Sequence, residues 1–365
     1  MKFNLKKSIA VGTTLLALGG GTVADAIQNP YTDKGTYQEI SMVSDIPQGE
    51  KLEIAKDTAS ITLKGWMGEY AVTIKPQIDS KDIIVAADRP LFSDKLEFQK
   101  GDITAFIDPV NNKEFDIDFT LASKPASNVF EYKIEGADDM DFFYQPALTQ
   151  EEIDRGDNRP ENVVGSYAVY HKTKANHKEG ETNYGTGKIF HIYRPKAIDS
   201  EGKEEWAELS YQNGLLSVTV SQQFLDEAVY PVTVDPTFGY TSNGASEESG
   251  LTTSAWGLKF VPTENIPSGN LTLMSIYIRS NTDTVFTGTK VRIIDSSYVI
   301  LDSANNTFIS TVSNVIAWKT TSSVLPAVTL SSGTTYYLAF FPYSNQLRFR
   351  YDAGASGDSV VDTTN

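Results

Sequence analysis

Cysteine is absent from the 365 residues. Its absence excludes disulfides, thiolate metal sites and cysteine nucleophiles together. Histidine numbers three, which leaves little material for metal or acid–base chemistry. Positive charge is also scarce: 31 Lys and Arg stand against 47 Asp and Glu, a net charge of −16. So acidic a chain repels phosphate backbones, so nucleic acid is not expected as a partner. Long apolar runs are missing as well, none approaching the ~18 residues of a membrane helix. Long helical periodicity is missing too. What is present is 40% apolar and 11% aromatic residue content, enough to bury a core, in a length that predicts two domains.

Residues 1–26 read as an address to be removed before folding. Lys2, Lys6 and Lys7 form a positive head, Ile9 to Leu18 a short apolar stretch, and Ala24-Asp25-Ala26 a small-residue cleavage site. The apolar stretch is too short to span a bilayer, so no transmembrane segment is expected after cleavage. Removal leaves a mature chain of net charge −18. An exported chain without cysteine folds independently of the oxidising conditions outside the cell.

The mature chain divides near Pro236. Residues 27–236 carry 21 basic and 37 acidic side chains, whereas 237–365 carry 7 and 9, with 38 Ser or Thr among 129 residues. Such a shift in charge and hydroxyl content predicts two modules. In the first, Ser60–Leu63, Tyr70–Ile74, Asp116–Phe119 and Val129–Ile134 alternate as strands do. Asn213-Gly214, between Trp206–Tyr211 and Leu215–Val220, is the strongest hairpin signal, because both residues accept the positive φ angles of a tight turn. Only two short helices are predicted, after Thr149 and across Ser221–Ala228. Residues 136–188 read as a loop-rich insertion. In the second module, Leu271–Arg279, Lys290–Asp295, Val328–Leu330, Thr335–Phe341 and Leu347–Tyr351 read as strands at even spacing. There Val291 and Ile293 are expected inward and Arg292 outward. The small, polar tail after Tyr351 leaves seven or eight strands. The fold class is therefore all-β, two β-sandwich modules in tandem, the C-terminal one jelly-roll-like.

Two stretches resemble known modules. His191-Ile192-Tyr193-Arg194-Pro195, Leu216–Val220 and Tyr230-Pro231-Val232-Thr233-Val234-Asp235-Pro236-Thr237 resemble the closing part of a β-rich module of uncharacterised bacterial surface and phage-associated proteins. That resemblance implies a strand handing over to the next domain and carries no catalytic residues. Trp256–Phe260, Met274–Ile278 and Leu330–Leu338 resemble the carbohydrate-binding-type jelly rolls of extracellular bacterial proteins. That resemblance implies the architecture and a glycan-type ligand.

The motifs of catalysis are not assembled in the sequence. His171, His177 and His191 form no zinc motif, and no G-x-S-x-G elbow is present. Gly185-Thr186-Gly187-Lys188 resembles a phosphate loop but is followed by Ile189 where Ser or Thr would hold Mg²⁺. Among the carboxylates, Glu204, Glu205 and Glu208 fall around Trp206. Asp138, Asp139 and Asp141 are the candidates for Ca²⁺, without the spacing of a calcium loop. No other cofactor is expected. Exposed aromatic and arginine side chains are enriched at binding sites, and Tyr343, Arg348, Arg350 and Trp256 are the candidate ligand-binding residues. The expected function is a secreted or cell-surface, non-catalytic protein whose jelly roll binds polysaccharide or another surface component. The alternatives are a phage-associated structural subunit and a polysaccharide-degrading enzyme using a carboxylate pair.

Overall fold

The computed structural model of the chain describes residues 31–33, 37–41, most of 51–77, 84–85, most of 96–239, and discontinuous stretches of 244–362. The signal-like residues 1–26 and His177 lie outside the described residues. The fold is all-β, and the two α-helices described, Gln150–Arg155 and Gln222–Glu227, are short. Each begins at a side-chain cap. Thr149 and Glu152 form a reciprocal capping box, and Ser221 Oγ accepts the Phe224 N–H at 3.3 Å. Gly156 then ends the first helix with φ 94°, a left-handed conformation that glycine adopts without penalty.

The first sandwich faces an eight-stranded sheet with an eleven-stranded one. In the smaller sheet five strands from Tyr31–Asp33 to Tyr70–Pro76 follow one another, then Val129–Glu135, Leu215–Thr219 and Glu208–Gln212. Alternation explains its inner face: Leu52, Ile54, Val72, Ile74 and Tyr132 are buried, while their neighbours along each strand are not, and Ile61 joins them. These residues share one core with Phe98, Ile107, Phe115, Ile117 and Phe119 of the larger sheet. Tyr132 crosses between the sheets, its hydroxyl donating to the Ile117 carbonyl at 3.1 Å. The hairpin at Asn213-Gly214 has the expected positive φ pair, 49° and 80°.

Glu114–Leu121 is central to the larger sheet. It pairs along its length with Ile103–Asn111 on one side. On the other it pairs with Val232–Asp235 and then with Thr237–Gly239, the two separated by Pro236. Thr237–Gly239 thus stays in the first sandwich and also pairs with Lys188–Ile192.

Two expectations fail in this module. The single strand expected over Trp206–Tyr211 is two, Glu204–Trp206 in the larger sheet and Glu208–Gln212 in the smaller, with the chain changing sheets at buried Ala207. The supposed insertion at 136–188 instead supplies Met140–Tyr144 and Tyr167–His171, which extend the larger sheet. Its aromatics do not alternate with polar residues because both faces find partners, as in the stacking of Phe142 on Tyr211 at 3.6 Å.

The second sandwich has nine strands among the described residues, in sheets of four and five. Its pairing is that of a hairpin rolled up on itself. Ser246–Ser249 pairs with Leu347–Tyr351, Ala255–Phe260 with Tyr336–Phe341, Ser275–Ser280 with Ala317–Thr320, and Thr289–Asp295 with Phe308–Ile309. First pairs with eighth, second with seventh, third with sixth and fourth with fifth, which is jelly-roll order. The ninth strand, Ser359–Asp362, comes from the tail that looked too polar to pair, and it joins Ala255–Phe260 at a sheet edge. Ile278 and Leu347 from one sheet meet Val291, Ile293, Tyr336 and Phe340 from the other in a second core. Arg292 points outward as expected, yet is 7% exposed. It lies on the outer face between buried Ile294 and Ala339, so the outer face is covered at this point, while Lys290 on the same face is exposed.

Candidate functional site

The most constructed polar site in the molecule lies where the two sandwiches meet. The strand Lys188–Ile192 is buried at all five positions. Its residues Phe190 and Ile192 enter the first core, and Lys188 and His191 meet the second module. Lys188 Nζ is 2.7 Å from Asp352 Oδ2, and both side chains are 1% exposed. Asp352 also accepts the Tyr170 hydroxyl at 2.7 Å and the Ala245 N–H at 2.8 Å. Burial holds the Lys188 ammonium below its ordinary pKa, with Asp352 opposing the shift. Burial alone would raise the Asp352 carboxyl, but the Lys188 charge and the hydrogen bonds outweigh it, so it is lowered.

Around this pair the modules are tied by backbone and side-chain bonds. Asn158 and Glu247 exchange both main-chain hydrogen bonds, at 2.9 and 2.8 Å, along the edge strand Ser246–Ser249. Gln145 bonds both the carbonyl and the N–H of Ala353, at 2.9 and 2.7 Å. Arg159 reaches Ser246 Oγ at 2.8 Å and the Tyr351 hydroxyl at 3.1 Å. Val163, Tyr193 and Ala245 form a small apolar cluster beside them.

Ser166, His191 and Asp352 have the order of a hydrolase triad, with Ser166 Oγ 2.7 Å from His191 Nε2 and His191 Nδ1 3.9 Å from Asp352 Oδ1. The proton polarity is wrong for that chemistry. Ser166 Oγ donates to the Val163 carbonyl at 2.6 Å, so it must accept from Nε2, and Nδ1 turns a lone pair toward the carboxylate. Ser166 and His191 are also fully buried. The grouping is a structural network and gives no access to substrate.

A second polar cluster sits on the side of the first sandwich. Trp66 and Met67 take consecutive left-handed φ angles, 49° and 59°, in the turn before Glu69. Trp66 is buried against Tyr70, Tyr184 and His171. Glu69 accepts from Lys174, from the Tyr184 hydroxyl at 2.8 Å and from Thr182 at 3.2 Å, and Lys174 chiefly holds its carboxyl below the ordinary range. His171, expected as a solvated loop residue, is half-buried at the end of Tyr167–His171, and burial lowers its pKa.

Of the ligand-binding candidates, Tyr343 is 67% exposed on the loop between the seventh and eighth jelly-roll strands. Arg350 lies 3.6 Å from Glu247, which Arg279 also holds through two hydrogen bonds. Arg348 bonds the Asn345 and Leu347 carbonyls and is half-buried beside Gly156 of the first module. Trp256 lies on Ala255–Phe260 with Phe340 as cross-strand partner; its side chain is outside the described residues. Arg348, through its bond to the Asn345 carbonyl, touches the loop that carries Tyr343, and Arg350 is engaged by Glu247.

The structure adds an aromatic pair that the sequence analysis overlooked. Tyr298, 56% exposed, stacks on Tyr337 with ring centroids 6.0 Å apart and planes 18° apart. Its turn is held by Asp295, whose carboxylate accepts the N–H groups of Ser297 and Val299 at 2.8 and 2.9 Å. Tyr298 has φ 63°, a strained conformation for a bulky residue. The signal available in the sequence was Asp295-Ser296-Ser297, an acidic residue followed by hydroxyls that favour a turn.

Asp138, Asp139 and Asp141 are exposed and do not converge. The carboxylates that do converge among the described residues are Asp116, Asp118 and Asp235, whose oxygens lie within 4.8 Å of one another on the outer face of the larger sheet. No protein-family model matches the chain, and no curated protein matches its sequence.

Proposed function

We propose that this chain is an exported, surface-associated binding protein whose jelly roll holds polysaccharide or a comparable component of a cell surface. The observation that carries this reading is the exposed Tyr298, stacked on Tyr337 and fixed by its Asp295 turn. A flat ring held rigidly at the surface loses little freedom on binding and presents the apolar face that sugar rings stack against. Tyr343 offers a second exposed ring. The layout of residues 1–26 supports export, and the resemblance of the second module to carbohydrate-binding jelly rolls supports the ligand class.

The test is retention of the purified full chain on insoluble cell-wall polysaccharides and on glycan arrays, with Tyr298→Ala and Tyr343→Ala beside it. Tyr298→Ala is expected to weaken retention at least tenfold without lowering the unfolding midpoint. Retention equal to the unaltered chain, or no retention on any polymer, refutes the reading.

A second reading, glycoside hydrolysis, is favoured by the convergence of Asp116, Asp118 and Asp235, since carboxyl pairs about 5 Å apart serve retaining glycosidases. Release of reducing ends that is abolished by Asp118→Asn would establish it.

A further inference from the structure

We propose that Lys188 and Asp352 condense to an amide, so that the first sandwich and the jelly roll are welded by a side-chain cross-link. The reacting groups are already in hydrogen-bond contact at 2.7 Å, and neither side chain is more than 1% exposed. They come from strands and loops that both modules hold rigidly. Tyr170, on a strand paired to that of Lys188, donates to Oδ2, and the main chain at Ala245 donates to Oδ1. Proximity of this kind converts an improbable bimolecular encounter into a unimolecular step.

The chemistry balances without any further reagent. A proton passes from Nζ to the carboxylate along their hydrogen bond, leaving an amine and a carboxylic acid in a site where burial penalises each ion. The Nζ lone pair attacks Cγ, and the Nζ–Cγ bond forms. The hydrogen bond from the Ala245 N–H is aimed at Oδ1, the oxygen that carries the negative charge of the tetrahedral adduct, and that from Tyr170 at Oδ2, the oxygen that departs. The Cγ–Oδ2 bond then breaks, and Oδ2 leaves as water with the two protons that nitrogen gives up. Neither oxidant nor metal enters.

The driving force is electrostatic. Two opposite charges buried in the junction carry a desolvation penalty that their attraction offsets only in part. Condensation removes both charges at once and leaves a neutral amide. Exclusion of water, which the burial of both side chains provides, withholds the reagent that would hydrolyse the product. In a chain with no cysteine the bond also supplies a covalent tie that does not depend on redox conditions.

The experiment is peptide mapping of the purified full chain. The protein is denatured, digested with trypsin and read by mass spectrometry, beside Lys188→Arg and Tyr170→Phe. The expected result is a branched peptide joining the segments around 188 and 352, lighter than the sum of its parts by one water, and absent from Lys188→Arg. Tyr170→Phe is expected to retain a measurable fraction of unlinked chain. Because the decisive measurement is made on the unaltered protein, misfolding of a variant does not blunt it. Recovery of both segments as separate, unmodified peptides from that protein overturns the proposal, as does a branched peptide that persists in Lys188→Arg.

Discussion

Acidification should loosen this fold through His191. The imidazole is buried among Ser166, Lys188, Asp352 and the ring of Tyr193 at 4.4 Å. Burial foremost, and in the unlinked chain the Lys188 charge beside it, push its pKa from 6.5 down to about 3, against the pull of Asp352; condensation of that pair removes both charges and leaves burial, the foremost cause, in place. Between those two values the unfolded chain binds a proton that the folded chain does not. Stability is therefore greatest above pH 6.5, falls as the pH drops, and has lost the whole contribution below about pH 3. At 1.36 kcal/mol per unit the loss is about 2 kcal/mol at pH 5 and approaches about 5 kcal/mol near pH 3. Asp352, lowered, adds to the loss only below its ordinary 3.8, and the contribution of Lys188, also lowered, is common to the full chain and to a variant that keeps it. Urea unfolding at pH 7, 6 and 5, on the full chain and on His191→Gln, isolates the effect. The variant is expected to start less stable but to lose about 2 kcal/mol less between pH 7 and 5. Identical losses in the two proteins would show that His191 is reachable by protons in the folded state and would refute the reasoning.

Two further substitutions probe the first sandwich. Tyr132→Phe removes the hydroxyl that bonds the Ile117 carbonyl across the core, and denaturant unfolding should show a loss of about 1 kcal/mol with an unchanged m value. Gly136→Ala puts a Cβ 2.2 Å from the Ala71 carbonyl oxygen at a φ of 73°. Strain and overlap together should lower stability by about 3 kcal/mol in the same assay, and a neutral outcome would mean that the turn is far softer than drawn.

The strands of both modules were legible where one face is core and the other is not. Val129–Glu135 alternates without a break, and Asn213-Gly214 marks the turn between Glu208–Gln212 and Leu215–Thr219 because few other pairs tolerate two positive φ angles. Legibility failed where both faces are covered. Lys188–Ile192 is buried throughout, so a lysine and a histidine sit inside an apolar run and no period reveals what they face. Asp352 is harder still. It lies in a polar tail 164 positions from Lys188, and only the closing of the roll brings it to the junction. The same closure explains why Arg348 and Arg350 looked like ligand residues. Alternation shows that they leave the jelly-roll core, but not that Glu247 and the first module wait outside it.

The rolled pairing of the jelly roll has a mechanical consequence. Because its first and eighth strands are neighbours, the chain enters that module at Ala245 and runs past Asp352 at one corner, where the first sandwich packs against the one and bonds the other. A pull on the surface that carries Tyr298 or Tyr343 therefore cannot simply swing the jelly roll on a single tether. It loads a broad footing, shared by the Asn158 bridge and the Asp352 contacts, and that surface keeps a set heading relative to the acidic sandwich.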